Sequence, residues 1–268
     1  MGVDNHGMIE RGTYVAHLKT VDGETYQDLL AEELPLALFV QGESYAVFMR
    51  TPGSDQALIY GFLLTEQLIE DLDDVRGLVA CQSYPQQRLH LTLESGVRLP
   101  ERSRRSFISS SCGLCSLEQL DFSIDAPSLT DHPRWIKCEL RQEQISDYYR
   151  AFNALPSLFS LTGGAHVAAL FSPSGDVRYI QADVGRHNAI DKVIGAAALQ
   201  GDQALWGWIL MVSSRAGFEV ISKAAAAGVG ALITLGAASG AAHRYSLASG
   251  LPLYSFTRPH RSHRHLSQ

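Results

Sequence analysis

The sequence predicts an α/β protein: a C-terminal part with a mixed, mostly parallel sheet, preceded by a small α+β unit. Two patterns support this. From Ile145 onward, short apolar runs alternate with helical stretches across brief turns, the order that places helices on the faces of a parallel sheet. Before about Leu99, two strand pairs flank one helix, without that alternation.

In the first unit, Pro35–Val40 and Tyr45–Met49 are apolar runs joined by Gln41-Gly42-Glu43-Ser44, a hairpin signal. Ser54 or Asp55 begins a helix whose Leu58, Phe62, Leu63 and Leu68 share one face. Val75–Cys81 and Arg88–Leu93 form a second strand pair around the Tyr84-Pro85 turn. In the second unit, a helix over 147–161 ends at Gly163-Gly164. A hairpin of His166–Phe171 and Val177–Ala182 follows, turned by Ser172–Asp176. Helix 189–199, strand 206–212, helix 218–227, strand 231–235, a helix near 241–248 and strand 253–256 complete the order. The organisation expected is a disordered N-terminus (1–15), an α+β domain (16–100), a polar connection (101–144), the α/β domain (145–261) and a flexible tail (262–268).

The chain has 268 residues, 46% hydrophobic and 19% charged, enough for one sizeable core or two modest ones. A net charge of −6 argues against a nucleic-acid partner. The sequence lacks an apolar run of the length a membrane span needs, and Met1–Glu10 lacks the apolar stretch of a signal peptide. Four cysteines in a chain this long do not make a disulfide framework, so a reducing, cytoplasmic setting is expected.

Cys112-Gly113-Leu114-Cys115 is the strongest chemical signal. Arg102, Arg104 and Arg105 precede it, and Ser116-Leu117-Glu118-Gln119 opens a helix after it. Arginines and a helix N-terminus favour the thiolate, the form in which cysteine is a nucleophile. A structural zinc site drawing on His132 and Cys138 is the alternative, but its C-x2-C-x16-H-x5-C gaps depart from finger spacing. Cys81 and Cys138 read as small buried apolar residues.

Ligands of an open parallel sheet bind beyond the carboxyl ends of its strands. Four expected strands run into Asp183–Asn188, Ser213–Gly217, Gly236–Gly240 and Thr257–Arg261. Three of these turns feed helix N-termini, and Arg186, Arg215, Arg258 and Arg261 add bidentate donors, so an anionic ligand such as a nucleotide suits this edge. Structural readings compete at single positions. Asn188 is a good N-cap with Asp191 placed for a capping box, Gly185 suits a positive-φ turn, and His187 on its own suits a structural role. His260, His263, His265 and Arg264 read as a solvated basic end, and no metal site is expected.

Asp183-Val184-Gly185-Arg186-His187-Asn188-Ala189-Ile190-Asp191-Lys192, the Cys112–Cys115 stretch and Thr162-Gly163-Gly164-Ala165-His166 together resemble the FdhD family. Ser214–Glu219, Glu32–Leu36 and Gly61–Glu66 extend the resemblance, in order, from about Ala31 to Arg261. The resemblance implies a sulfur carrier required for formate dehydrogenase activity. A cysteine desulfurase would load Cys112 as a persulfide, with Cys115 its less critical neighbour. The sulfur would pass to the molybdenum or tungsten bis(molybdopterin guanine dinucleotide) cofactor before insertion into the formate dehydrogenase apoenzyme.

The resemblance assigns Phe256, Thr257, Arg258, Pro259, His260 and Arg261 to cofactor binding, joined on the edge by Arg186, His187, Asn188 and Arg215. It further implies that GDP or GMP mimics the ligand, a homodimer, and a three-layer cytidine deaminase-like C-terminal domain. Ala182, Ser116, Gly217 and Gly236–Gly240 depart from the family's usual residues. A non-catalytic cofactor chaperone is the alternative function. A zinc deaminase is disfavoured, because no His-x-Glu precedes a Pro-Cys-x-x-Cys.

Overall fold

A computed structural model describes residues 12–100, 107–108, 126 and 128–267. Two hairpins come first among the described residues. Strands β1 (Thr13–Lys19) and β2 (Thr25–Ala31) pair antiparallel as a separate two-stranded sheet. Strands β3 (Leu34–Val40) and β4 (Glu43–Arg50) join through Gln41 and Gly42, both at positive φ, the turn that matches the twist of paired strands. Helix α1 (Asp55–Thr65) follows, then β5 (Val75–Ala80), β6 (Arg88–Leu93) and β7 (Phe107–Ile108). The resulting sheet has the order β5-β6-β3-β4-β7. Leu36, Leu38, Phe48 and Leu91 of this sheet meet Leu58, Ile59, Phe62 and Leu63 of α1 in one buried cluster.

The C-terminal part holds α2 (Gln142–Ala154), α3 (Leu158–Thr162), β8 (His166–Phe171), β9 (Val177–Asp183), α4 (Arg186–Leu199), β10 (Ile209–Val212), α5 (Phe218–Ala226), β11 (Ala231–Thr234), α6 (Gly240–Ser249), β12 (Leu253–Arg258) and β13 (Arg261–Arg264). Its sheet order is β13-β12-β11-β10-β8-β9. Strands β10, β11 and β12 are parallel neighbours, whereas the pairs β8–β9, β8–β10 and β12–β13 are antiparallel. The sheet is therefore mixed with a parallel centre, less parallel than expected. Strand β9 still runs in the direction of β10–β12, because β8 is antiparallel to both β9 and β10.

Residue alternation sorts the two faces. Leu170, Leu210 and Val212 face Ile190, Val193, Val220 and Ile221 of α4 and α5, while Phe171, Ile209 and Met211 face Ile145, Phe152 and Leu158 of α2 and α3. This is a helix–sheet–helix sandwich. Among the described residues no helix is long and apolar enough to cross a membrane.

Several expectations are corrected. The expected helix over 147–161 begins earlier and splits, because Pro156 cannot continue α2 and Ser157 caps α3 through a reciprocal bond pair with Ser160. Residues 13–31 form a hairpin where no strands were expected, although Asp22-Gly23 marks its turn. The start of the expected tail is strand β13, which pairs with β12. Cys112, Cys115 and the helix expected after Ser116 lie outside the described residues.

Candidate functional site at the carboxyl edge of the C-terminal sheet

The carboxyl ends of β9, β10, β11 and β12 lie along one edge, and backbone bonds knit together the segments at the ends of β10, β11 and β12. Ala216 N donates to Ala237 O at 3.0 Å, Ser239 N to Ala216 O at 2.9 Å, Gly236 N to Ser214 O at 3.1 Å and Phe256 N to Gly236 O at 2.8 Å. Gly236 permits this approach, since a Cβ there would lie 2.8 Å from the Arg215 backbone. The N-termini of α4, α5 and α6 open onto this edge, so their free N–H groups and positive dipole ends favour an anion there.

Arg186 begins α4, and Arg215 is exposed on the turn after β10. His166, at the start of β8, stands opposite Asp183 in the sheet register. Burial, helped by Arg186 and His187, pushes His166 below the ordinary histidine range. His187 is buried, with Nε2 2.8 Å from Glu219 Oε2. Burial by itself would raise Glu219, but the hydrogen bond and charge of His187, with Arg186 and Lys223, hold its carboxyl below the usual range. Arg258 is exposed and donates from Nη1 to Leu235 O at 2.8 Å, with its guanidinium 4.9 Å from the Phe256 ring.

Phe256 is exposed and sits at φ 53, a left-handed conformation uncommon outside glycine and associated with functional sites. Thr257 is fully buried, and its hydroxyl has no hydrogen-bond partner among the described residues. Pro259 O accepts from the Ser146 hydroxyl of α2. His260 and Arg261 are exposed at the turn into β13.

Asn188 is placed differently from its expectation. Gly185 is the N-cap of α4, at φ −93, so it serves no positive-φ turn. Asn188 lies inside the first turn of the helix, and its Nδ2 donates to Met49 O at 2.7 Å and to Asp183 Oδ1 at 3.0 Å. Lys192 Nζ meets Asp183 Oδ2 and Thr51 O, each at 2.7 Å, while Thr51 N donates to Asp183 Oδ2 at 3.0 Å. Asp183, Asn188 and Lys192 thus bind the C-terminal domain to the end of β4.

Asp191 forms no capping box. It accepts from Thr65 Oγ1 at 2.7 Å and from Lys223 Nζ at 2.9 and 3.1 Å. Burial pushes Asp191 up, and burial would lower Lys223, but Asp191 and Glu66 hold Lys223 above its ordinary range. The Thr65 hydroxyl and the Lys223 ammonium, both donating to Asp191, favour its charged form against that burial.

The connection to the cysteine stretch starts beside this network. Strand β7 runs parallel to β4, Phe107 opposite Val47 and Ile108 opposite Phe48. Beyond Arg50, the last residue of β4, Thr51 Oγ1 accepts from Val184 N at 3.1 Å. Strand β7 therefore points along β4 toward the Asp183–Arg186 turn. The residues of the alternative zinc set that are described sit elsewhere. His132 packs on Trp206 with ring centroids 5.0 Å apart, and the Cys138 thiol lies 3.4 Å from Gly207 O, raised by burial.

A family model described as FdhD/NarQ matches residues 31–265. The chain belongs to the FdhD/NarQ family. Its family relatives include proteins named sulfur carrier protein FdhD. That of Streptomyces avermitilis is 35% identical over 247 residues, covering 87% of this chain and 86% of the relative. That of Saccharolobus solfataricus is 32% identical over 248 residues, covering 90% and 91%. A crystal structure from Desulfotalea psychrophila, described as a candidate formate dehydrogenase accessory protein, superposes with a TM-score of 0.71 at 21% identity. It covers 95% of this FdhD/NarQ chain and 96% of its own, which establishes the shared fold. In the sequence, Glu219 was legible only as part of the Ser214–Glu219 motif, and its pairing with His187 required the fold.

Proposed function

We propose that this protein is a sulfur carrier serving formate dehydrogenase. In this reading Cys112 receives sulfane sulfur from a cysteine desulfurase, and the sulfur passes to a molybdenum or tungsten bis(molybdopterin guanine dinucleotide) cofactor bound as substrate at the basic edge. Loading is a thiolate displacement: Cys112 attacks the terminal sulfur of the donor persulfide, one S–S bond forms as another breaks, and the donor leaves as thiolate. Cys115 is the neighbouring thiol with a lesser part.

The observation that carries this reading is the direction of β7 toward an anion-ready edge. Cys112 is four residues beyond Ile108, a span of at most about 14 Å of chain. Arg186, Arg215 and Arg258 with three helix N-termini suit the phosphates of a dinucleotide substrate. Phe256, Thr257, Pro259, His260 and Arg261 complete the proposed cofactor contacts, with the unpartnered Thr257 hydroxyl a polar group available at depth. His187 borders the edge, and Asn188 holds the helix that presents Arg186 and His187. GDP or GMP is the proposed ligand mimic. We read the C-terminal sandwich as cytidine deaminase-like, supported by a hairpin followed by parallel strands with helical crossovers. The assembly is read as a cytoplasmic homodimer.

The test is incubation with a cysteine desulfurase and cysteine, followed by intact mass measurement. Wild type should gain sulfur that a thiol reductant removes, and Cys112→Ala should not. Equal uptake by Cys112→Ala would end the proposed role for that residue. A chaperone that only holds cofactor predicts that apoenzyme activation survives loss of both thiols.

A further inference from the structure

A groove of about 620 Å³ lies away from the carboxyl edge, at the C-terminal end of α5. Glu70, Asp71, His132, Trp135, Trp206 and Gly228 are among the residues that line it. The groove is not an extension of the sulfur site, since it gathers the turn after α1, the segment at 128–135 and the loop before β10.

Its charge is one-sided. The turn from Glu66 to Asp74 carries Glu66, Glu70, Asp71, Asp73 and Asp74 with no basic residue. Glu66 is satisfied by Lys223 at 2.8 Å, but the Glu70 and Asp71 side chains remain exposed at the groove. Asp71 Oδ1 accepts from Asp73 N and Asp74 Oδ2 from Glu70 N, both at 2.8 Å, so the turn is held in a fixed shape. Leu72 N donates to Gln203 Oε1 at 3.2 Å and ties this turn to the loop before β10. The last turn of α5 adds the negative end of its dipole. The cations beside it are already engaged: Lys223, in the last turn of α5, pairs with Glu66, and Arg134 lies 5.8 Å from the Trp206 ring.

We propose that this groove docks a basic segment of a partner protein, with an arginine or lysine among the Glu70 and Asp71 carboxylates and the indoles that line it. The charge complementarity selects a cation, and indole surfaces suit a guanidinium or an alkyl-ammonium stem. The volume exceeds that of one side chain, which fits an extended segment better than a single ion. The docking inference does not depend on the sulfur reading.

The experiment titrates the full-length protein with a tetra-arginine amide peptide, followed by tryptophan fluorescence and calorimetry. Wild type should bind in a salt-sensitive manner. Glu70→Lys/Asp71→Lys should bind about tenfold more weakly or worse. A matched variant with equal net charge, Asp22→Lys/Glu24→Lys on the exposed β1–β2 turn, should bind as wild type does. Equal weakening in both variants would reduce the effect to bulk charge and overturn the proposal. So would no wild-type binding together with binding by an Arg102→Gln/Arg104→Gln/Arg105→Gln variant, which would make the chain's own basic stretch the occupant. No binding by either protein also overturns it. Circular dichroism of each variant checks that a loss of binding is not a loss of fold.

Discussion

Gly61 and Gly195 face each other where α1 crosses α4, and neither has room for a methyl group. A Cβ on Gly61 would lie 1.7 Å from Asp191 O, and one on Gly195 would lie 1.9 Å from Ala57 O. This crossing joins the N-terminal sheet unit to the C-terminal sandwich. Because both obstacles are backbone atoms, no rotamer change relieves them. Gly61→Ala or Gly195→Ala should therefore destabilise the protein by about 3 kcal/mol or more in urea unfolding, by forcing the helices apart. Wild-type stability in either variant would mean that the helices are not packed this closely.

Lys192 and Asp183 make a second prediction about the same junction. Both are fully buried, so removing the cation leaves a carboxylate without its partner. Lys192→Met should cost about 3–5 kcal/mol. Adding Asp183→Asn should recover part of that loss, since the stranded charge is then gone. A Lys192→Met cost under about 1 kcal/mol would contradict the pairing.

The Asp183–Lys192 motif shows what the sequence could and could not disclose. Its position after a strand located the edge, and the hairpins at Leu34–Arg50 and His166–Asp183 were legible from turn chemistry and alternation. The division of labour within the motif was not legible. Asn188 and Asp191 serve partners more than 120 residues away, Met49 and Thr65, which no local capping pattern encodes. Strands β1 and β2 carry a weak sequence signal because Tyr14, Val15, Tyr26 and Leu30 are exposed, so apolar residues do not alternate cleanly with polar ones. Strand β13 is polar and at a sheet edge, where composition resembles that of a tail.

His166 should titrate below the ordinary histidine value of about 6.5, as followed by its ring proton resonances. The sign for stability follows. As pH falls past the ordinary value, the unfolded chain takes up this proton first, so His166 withdraws stability from the fold. Glu219 acts in the same direction at lower pH. Its depressed carboxyl contributes stability above the ordinary carboxylate range, and that contribution is lost as pH falls through its folded value. Glu219→Gln should flatten the acid limb of stability, and an unchanged limb would count against the His187–Glu219 pair.

Arg215 is exposed on the turn after β10, so its removal should spare the fold while weakening the edge. Arg215→Ala should lower GDP affinity about tenfold or more, with an unchanged urea midpoint. Equal GDP affinity would remove Arg215 from the proposed contacts.

The most direct measurement is a single-turnover activation of formate dehydrogenase apoenzyme, supplied with cofactor and with protein preloaded by a desulfurase and then purified from it. Preloaded wild type should generate formate oxidation in proportion to the sulfur it carried, and Cys112→Ala treated identically should generate none. Comparable activity from Cys112→Ala would contradict sulfur delivery by that thiol.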